Sequence, residues 1–114
     1  MPTLIIETNA PTLPDRRREI LRAASARVAE ILGKPESYVL VLFRANPDML
    51  FAGKDAPLAY LELKSLGLPE GQTSELSASL CGLMKTYLDI ASERIYIEFA
   101  SPPRHMFGWN GGTF

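Results

Sequence analysis

The feature that most constrains how this chain folds is a pattern that occurs twice in 114 residues: strand, amphipathic helix, strand. Thr3 to Glu7 reads as a strand. Asp15 to Leu32 then carries Ile20, Leu21, Ala24, Val28, Ile31 and Leu32 at helical spacing, with Gly33 placed as a C-terminal cap. Tyr38 to Phe43 is a strand again. The second half repeats the order: a strand from Leu58 to Ser65, a helix from about Ser74 to Leu88 with Leu76, Leu80, Leu83, Met84 and Tyr87 on one side, and a strand from Arg94 to Phe99. The runs Val39 to Phe43 and Ile95 to Phe99 occupy equivalent places after their helices, as two fused βαβ units require. The expected architecture is one α+β domain over residues 1–114, a four-stranded mixed sheet with two helices on one face.

Two helices cover only one side of such a sheet. Leu4-Ile5-Ile6 and Val39 to Phe43 are continuous apolar runs, the pattern of strands buried on both faces. In a chain this short the expected cover is another copy of itself, so the pattern predicts a homo-oligomer with sheets turned inward. The tail folding back across the sheet is the alternative.

Composition narrows the functions. With 46% hydrophobic and 22% charged residues the chain is an ordinary globular domain, and a net charge of −1 supplies no field to recruit nucleic acid or an anionic membrane. Arg16-Arg17-Arg18 is the only basic run and reads as a solvated helix face. Cys81 is the only cysteine and sits among Leu80, Leu83 and Met84, so it reads as a small buried hydrophobe, with neither a disulfide nor a CxxC pair. His105 is likewise alone, without the spacing of a metal site; no metal and no cofactor are expected. No apolar run approaches a membrane span and no leader pattern is present, so a cytoplasmic location is expected.

Pro2 directly precedes the first strand. If Met1 is removed, Pro2 becomes a secondary amine at a strand end. An α-amino group has a reference pKa of about 7.7 to 8.0, and burial or nearby positive charge lowers it, leaving a neutral base near pH 7. The plainer reading is that a proline starts a strand, where its missing N–H costs nothing. At the other end, Ser101-Pro102-Pro103 stops the last strand, and Phe107, Trp109 and Phe114 follow, spaced by glycines. These aromatics either line a pocket or plug the open sheet face.

Taken in order, Met1-Pro2-x-Leu4-Ile5-Ile6 with Thr8-Asn9-x-Pro11, Leu32-Gly33-Lys34-Pro35-x-x-Tyr38, Lys64-Ser65-Leu66-Gly67, Leu80-Cys81-Gly82-Leu83, Arg94-Ile95-Tyr96-Ile97 and Gly108-Trp109-Asn110 ending at Phe114 resemble the macrophage migration inhibitory factor family of the tautomerase superfamily. The resemblance runs from end to end. It implies a homotrimer with sheets around a central channel and active sites between subunits. It implies keto–enol tautomerisation of phenylpyruvate or hydroxyphenylpyruvate, and conversion of dopachrome-type substrates, with Pro2 as the general base. Lys34, otherwise a helix C-terminal cation, matches the group that holds the substrate carboxylate. Ser65 and the backbone N–H of Leu66 match a ligand-binding edge. Tyr38, Tyr96, Phe107, Trp109 and Phe114 match an aromatic pocket, Tyr96 coming from the adjacent subunit.

The chain departs from the family's pattern at several places. Lys64 stands where a histidine is usual, and Glu98 where an asparagine is usual. A carboxylate at the mouth favours protonated Pro2 and repels an anionic substrate, so a weakened tautomerase is expected unless Glu98 pairs with Lys64. Leu58 and Leu61 occupy the positions of the CxxC pair proposed for thiol chemistry in animal relatives. Thr12 and Asn46 replace an arginine and an aspartate tied to receptor signalling. The alternative function by resemblance is a cytokine-like protein-binding homologue with vestigial chemistry, a receptor protein as its partner and leaderless secretion as its route.

Overall fold

The computed structural model describes all 114 residues. Six short strands and two helices follow in the order β1 (Thr3–Thr8), α1 (Pro14–Leu32), β2 (Leu40–Ala45), β3 (Ala59–Lys64), α2 (Thr73–Leu88), β4 (Ile95–Ala100), β5 (Gly108–Trp109) and β6 (Gly112–Thr113). The four longer strands form one mixed sheet in the order β2-β1-β3-β4. β1 runs parallel to β2 and antiparallel to β3, and β3 runs parallel to β4, so each βαβ unit keeps its parallel pair and the units meet along β1 and β3.

Alternation along the strands decides which side is covered. Leu4, Ile6 and Thr8 of β1 and Ala59, Leu61 and Leu63 of β3 are buried. They pack with Ile20, Ala24 and Val28 of α1 and Leu76, Leu80, Leu83 and Met84 of α2 in a single core. Each helix places one apolar stripe on the sheet. Cys81 is only half-buried at the edge of this core. The arginine run is not simply solvated: Arg16 Nε donates to the Tyr87 carbonyl at 3.1 Å with its guanidinium over the Tyr87 ring, and Arg17 Nε donates to the Thr12 carbonyl at 3.0 Å. Arg16 holds the start of α1 against the end of α2, and Arg17 ties α1 to the loop that precedes it.

The opposite face carries Thr3, Ile5 and Glu7, then Leu40, Leu42 and Arg44, then Tyr60, Glu62 and Lys64, then Tyr96 and Glu98. It is therefore mixed rather than apolar: Ile5, Leu40 and Leu42 share it with Thr3, Glu7 and Arg44, and β3 and β4 add Glu62, Lys64 and Glu98. Leu40 (52% exposed) and Tyr96 (68%) stay open to solvent in the single chain, so the tail does not cover them. Instead the tail turns back on itself. Asn110 and Gly111 both have positive φ (52° and 78°), and the resulting tight turn pairs β5 with β6.

Two element ends differ from the sequence expectation in ways that matter. Tyr38 lies not in a strand but in a 3₁₀ turn, Glu36–Tyr38, closed by the Tyr38 N–H on the Pro35 carbonyl at 3.1 Å. Pro35 offers no N–H to extend β2 backwards, so the chain coils once before pairing. Arg94 likewise sits in a 3₁₀ turn, Ser92–Arg94, from which its guanidinium donates to the carbonyls of Phe51, Lys54, Ala56 and Pro57. It organises the loop between β2 and β3.

Gly33 ends α1 in the left-handed region (φ 62°), letting its own N–H reach the Glu30 carbonyl and the Lys34 N–H reach the Ala29 carbonyl at 3.0 Å. No atom lies near where a Cβ would stand, so the cost of a side chain here is backbone strain alone. Gly33→Ala is expected to lower stability by about 1 kcal/mol, with an unchanged denaturant slope in urea unfolding at fixed protein concentration.

Candidate active site

β1 brings the amino terminus to one end of the sheet. Pro2 is fully buried, and its carbonyl accepts the Leu40 N–H at 3.0 Å, so the parallel pairing of β1 and β2 extends to the residue before the strand. Beside it opens a cleft of about 400 Å³ lined by Met1, Lys34, Pro35, Tyr38, Leu66, Gly67, Arg104 and Phe114. An adjoining hollow of about 370 Å³ shares Met1, Tyr38 and Phe114 and adds Phe107 and Trp109. The first cleft carries the two cations Lys34 and Arg104; the second supplies aromatic surface.

Lys34 follows the cap of α1, and its half-buried side chain crosses to the end of β3. Its Nζ donates to Ser65 Oγ at 3.1 Å and to the Leu66 carbonyl at 2.5 Å, which uses two of three N–H donors. Ser65 is fully buried, its N–H bonded to the Ala100 carbonyl at 3.0 Å. Its carbonyl closes a turn onto the Leu68 N–H at 3.2 Å, with Gly67 at φ 63°. The cation is thus held over a rigid turn between β3 and α2.

The terminal amine in this cleft is that of Met1, and it is held below its ordinary value of 8.0, by partial burial first, then by the charge and contact of Lys34, then by the charge of Arg104. Each favours the neutral amine. The aromatic wall is built from the turn before β2 and the tail: Tyr38 meets Trp109 edge-on at 5.7 Å, Trp109 stacks on Phe114 at 5.8 Å with 11° between planes, and Phe107 lies 6.0 Å from Phe114. The Phe114 N–H donates to the Phe107 carbonyl at 3.2 Å and ties down the last residue. The tail aromatics line a pocket and do not plug the sheet.

Pro2, Lys34, Tyr38, Ser65, Leu66, Phe107, Trp109 and Phe114 therefore gather around one end of the sheet. Lys64, Tyr96 and Glu98 do not join them within a single chain. Tyr96 lines a separate apolar hollow with Met49, Leu50, Phe51 and Leu58. Lys64 pairs with Glu62 at 3.5 Å, and Glu98 accepts from the Tyr60 hydroxyl at 2.9 Å, so the Lys64–Glu98 pair that would cancel the two charges does not form within the chain. The register explains it: Glu62 lies directly opposite Glu98, while Lys64 faces Ala100. Arg104 was not among the sequence candidates. It has no periodicity to mark it, and Pro102-Pro103 before it signals only the end of β4.

The family model described as macrophage migration inhibitory factor matches residues 1–114. Among curated relatives, macrophage migration inhibitory factor of Meriones unguiculatus is 35% identical over 117 residues, covering 100% of this chain and 99% of that one. The homolog of Trichuris trichiura is 36% identical over 115 residues, with 100% of both chains covered. The solved structure of a macrophage migration inhibitory factor homologue from Prochlorococcus marinus superposes with a TM-score of 0.92 at 38% identity, over 98% of each chain. The fold is that of the tautomerase class. The chain belongs to the macrophage migration inhibitory factor family.

Tyr60 offers its single hydroxyl proton to two carboxylates, Glu98 at 2.9 Å and Glu62 at 3.1 Å. The bond to Glu98, then desolvation, then Glu62 push its pKa up to about 12, because a phenolate there faces negative charge. A spectrophotometric titration at 295 nm should leave one of the four tyrosines un-ionised at pH 11, and Glu98→Gln should return it toward 10.

Proposed function

We propose that the chain is a keto–enol tautomerase of aromatic 2-keto acids such as phenylpyruvate and hydroxyphenylpyruvate, and of dopachrome-type substrates, with the Pro2 nitrogen as base once Met1 is removed. The observation that supports this reading is the placement of the amino terminus beside a cleft where burial, Lys34 and Arg104 lower the pKa of the Met1 amine, surroundings that the Pro2 nitrogen inherits once Met1 is removed. In the enolising direction, the neutral nitrogen takes a proton from the carbon beside the carbonyl and, as its conjugate acid, delivers it to the carbonyl oxygen. In the ketonising direction the neutral nitrogen takes the enol O–H proton and delivers it to that carbon, so the base is neutral again after each turnover.

Lys34 holds the substrate carboxylate with its remaining N–H donor, and the ring lies against Tyr38, Trp109 and Phe114. A mostly apolar cleft with a few placed polar groups suits a phenyl ring bearing one carboxylate. Leu66 and Ser65 act at the edge, Ser65 by orienting Lys34. In the homotrimer that family membership supports, Tyr96 of the neighbouring subunit closes the pocket, with Lys64 and Glu98 near its mouth.

Pro2→Gly is expected to lower kcat/KM for phenylpyruvate, followed by ultraviolet absorbance, on the order of 10² to 10⁴-fold; equal rates would sink the proline mechanism. The base must be neutral, so log kcat/KM should rise with pH and level off with a midpoint below that of an exposed α-amino group, about 8, because the Pro2 nitrogen takes Met1's place near Lys34 and Arg104. Lys34→Ala removes one cause of the lowered value. Its midpoint should move upward, while KM rises about tenfold or more through loss of the carboxylate contact.

A further inference from the structure

The charge of the cleft does not match a singly charged substrate. Lys34 and Arg104 both line it, and none of its eight lining residues is an aspartate or glutamate. Neither cation takes part in any of the chain's four ion pairs, which lie elsewhere, on α1, on β3 and at the end of α2. A chain of net charge −1 thus concentrates two cations without carboxylate partners in one cleft. One carboxylate on Lys34 leaves Arg104 without a counter-charge.

Arg104 is also mounted firmly. It opens a 3₁₀ turn, Arg104–Met106, in which the Met106 N–H bonds the Pro103 carbonyl at 2.9 Å and the Phe107 N–H bonds the Arg104 carbonyl at 3.2 Å. The Phe107 carbonyl in turn receives the Phe114 N–H, so Arg104 is carried on the same unit as the aromatic wall. Its guanidinium makes no side-chain hydrogen bond within the chain, whereas those of Arg16, Arg17, Arg27 and Arg94 do. Five N–H donors in a planar fork remain for a ligand, a geometry that matches a carboxylate in bidentate fashion.

We propose that Arg104 is a second anion-binding residue of this cleft, and that the preferred substrates are 2-keto acids bearing an additional carboxylate, taken at one end by Lys34 and at the other by Arg104. This rests on the tautomerase reading and narrows its substrate class. Tyr38 and Phe114 line the same cleft as the two cations, so an arylpyruvate with a carboxylate on its ring offers a partner to the rings and to each cation.

The test compares kcat/KM for 4-carboxyphenylpyruvate and phenylpyruvate in the wild type, Arg104→Ala and Arg104→Lys. The wild type should favour the diacid. Arg104→Ala should lower the diacid-to-monoacid ratio about tenfold, mainly through KM, because a charge-assisted contact is lost on one substrate only. Arg104→Lys should restore part of it. Any change that Arg104 makes in the amine's protonation acts on both substrates and cancels in the ratio. A ratio unchanged by Arg104→Ala, or a wild type without preference for the diacid, would overturn the proposal.

Binding separates this proposal from the base. Trp109 is the only tryptophan and lies on the wall, so its fluorescence reports terephthalate and benzoate binding in a Pro2→Gly background without turnover. A preference for terephthalate that disappears in Arg104→Ala supports the anion site even if Pro2→Gly remains fully active and the base assignment fails. Equal affinities for the two ligands count against the site even if Pro2 proves to be the base.

Discussion

Strand β1 is hydrogen-bonded along both edges, to β2 on one side and β3 on the other, and the rest of the site depends on that placement. Chain ends ordinarily fray because nothing holds their backbone. Here the Leu40 N–H on the Pro2 carbonyl carries the β ladder back to the second residue, and the buried side of β1, Leu4, Ile6 and Thr8, is locked into the core. The amino terminus is therefore a fixed group at the end of a central strand. Lys34, after α1, arrives at this end of the sheet because the first βαβ unit returns its chain parallel to β1, and Ser65, after β3, arrives there because β3 runs antiparallel to β1.

The electrostatics follow from this geometry. An amine confined beside an ammonium and near a guanidinium loses affinity for its proton, and partial burial weakens the solvation that would otherwise stabilise the charged form. On the proposed reading, the cations that favour the neutral amine also attract an anionic substrate, so that one charge arrangement serves both binding and proton transfer. Two carboxylates of the open sheet face are occupied elsewhere, Glu62 with Lys64 and Glu98 with Tyr60.

Much of this was legible in residue order. The repeated strand-helix-strand pattern, the stripes on α1 and α2 and the glycine after Leu32 all express local rules of burial and capping, and the fold obeys them. Tyr38 was harder, because an apolar run read as a strand conceals the turn that Pro35 imposes, and that turn is what brings the ring to the cleft. The Asn110-Gly111 pair is a strong hairpin signal, but two-residue strands have no alternation to announce them. Arg104 was invisible: its role comes from where the tail packs, a tertiary fact with no local pattern. The partners of Glu98 and Lys64 depended on cross-strand register, which spacing along the chain does not reveal.

The central claim is that the fold turns the amino terminus into a neutral base. It is tested most directly by following the nitrogen itself, through the pH dependence of the ¹⁵N chemical shift of labelled Pro2 in protein from which Met1 has been removed. The account predicts a single titration with its midpoint below 8.0, rising when Lys34 is replaced by alanine. A midpoint at or above 8.0, or one indifferent to Lys34, would contradict it.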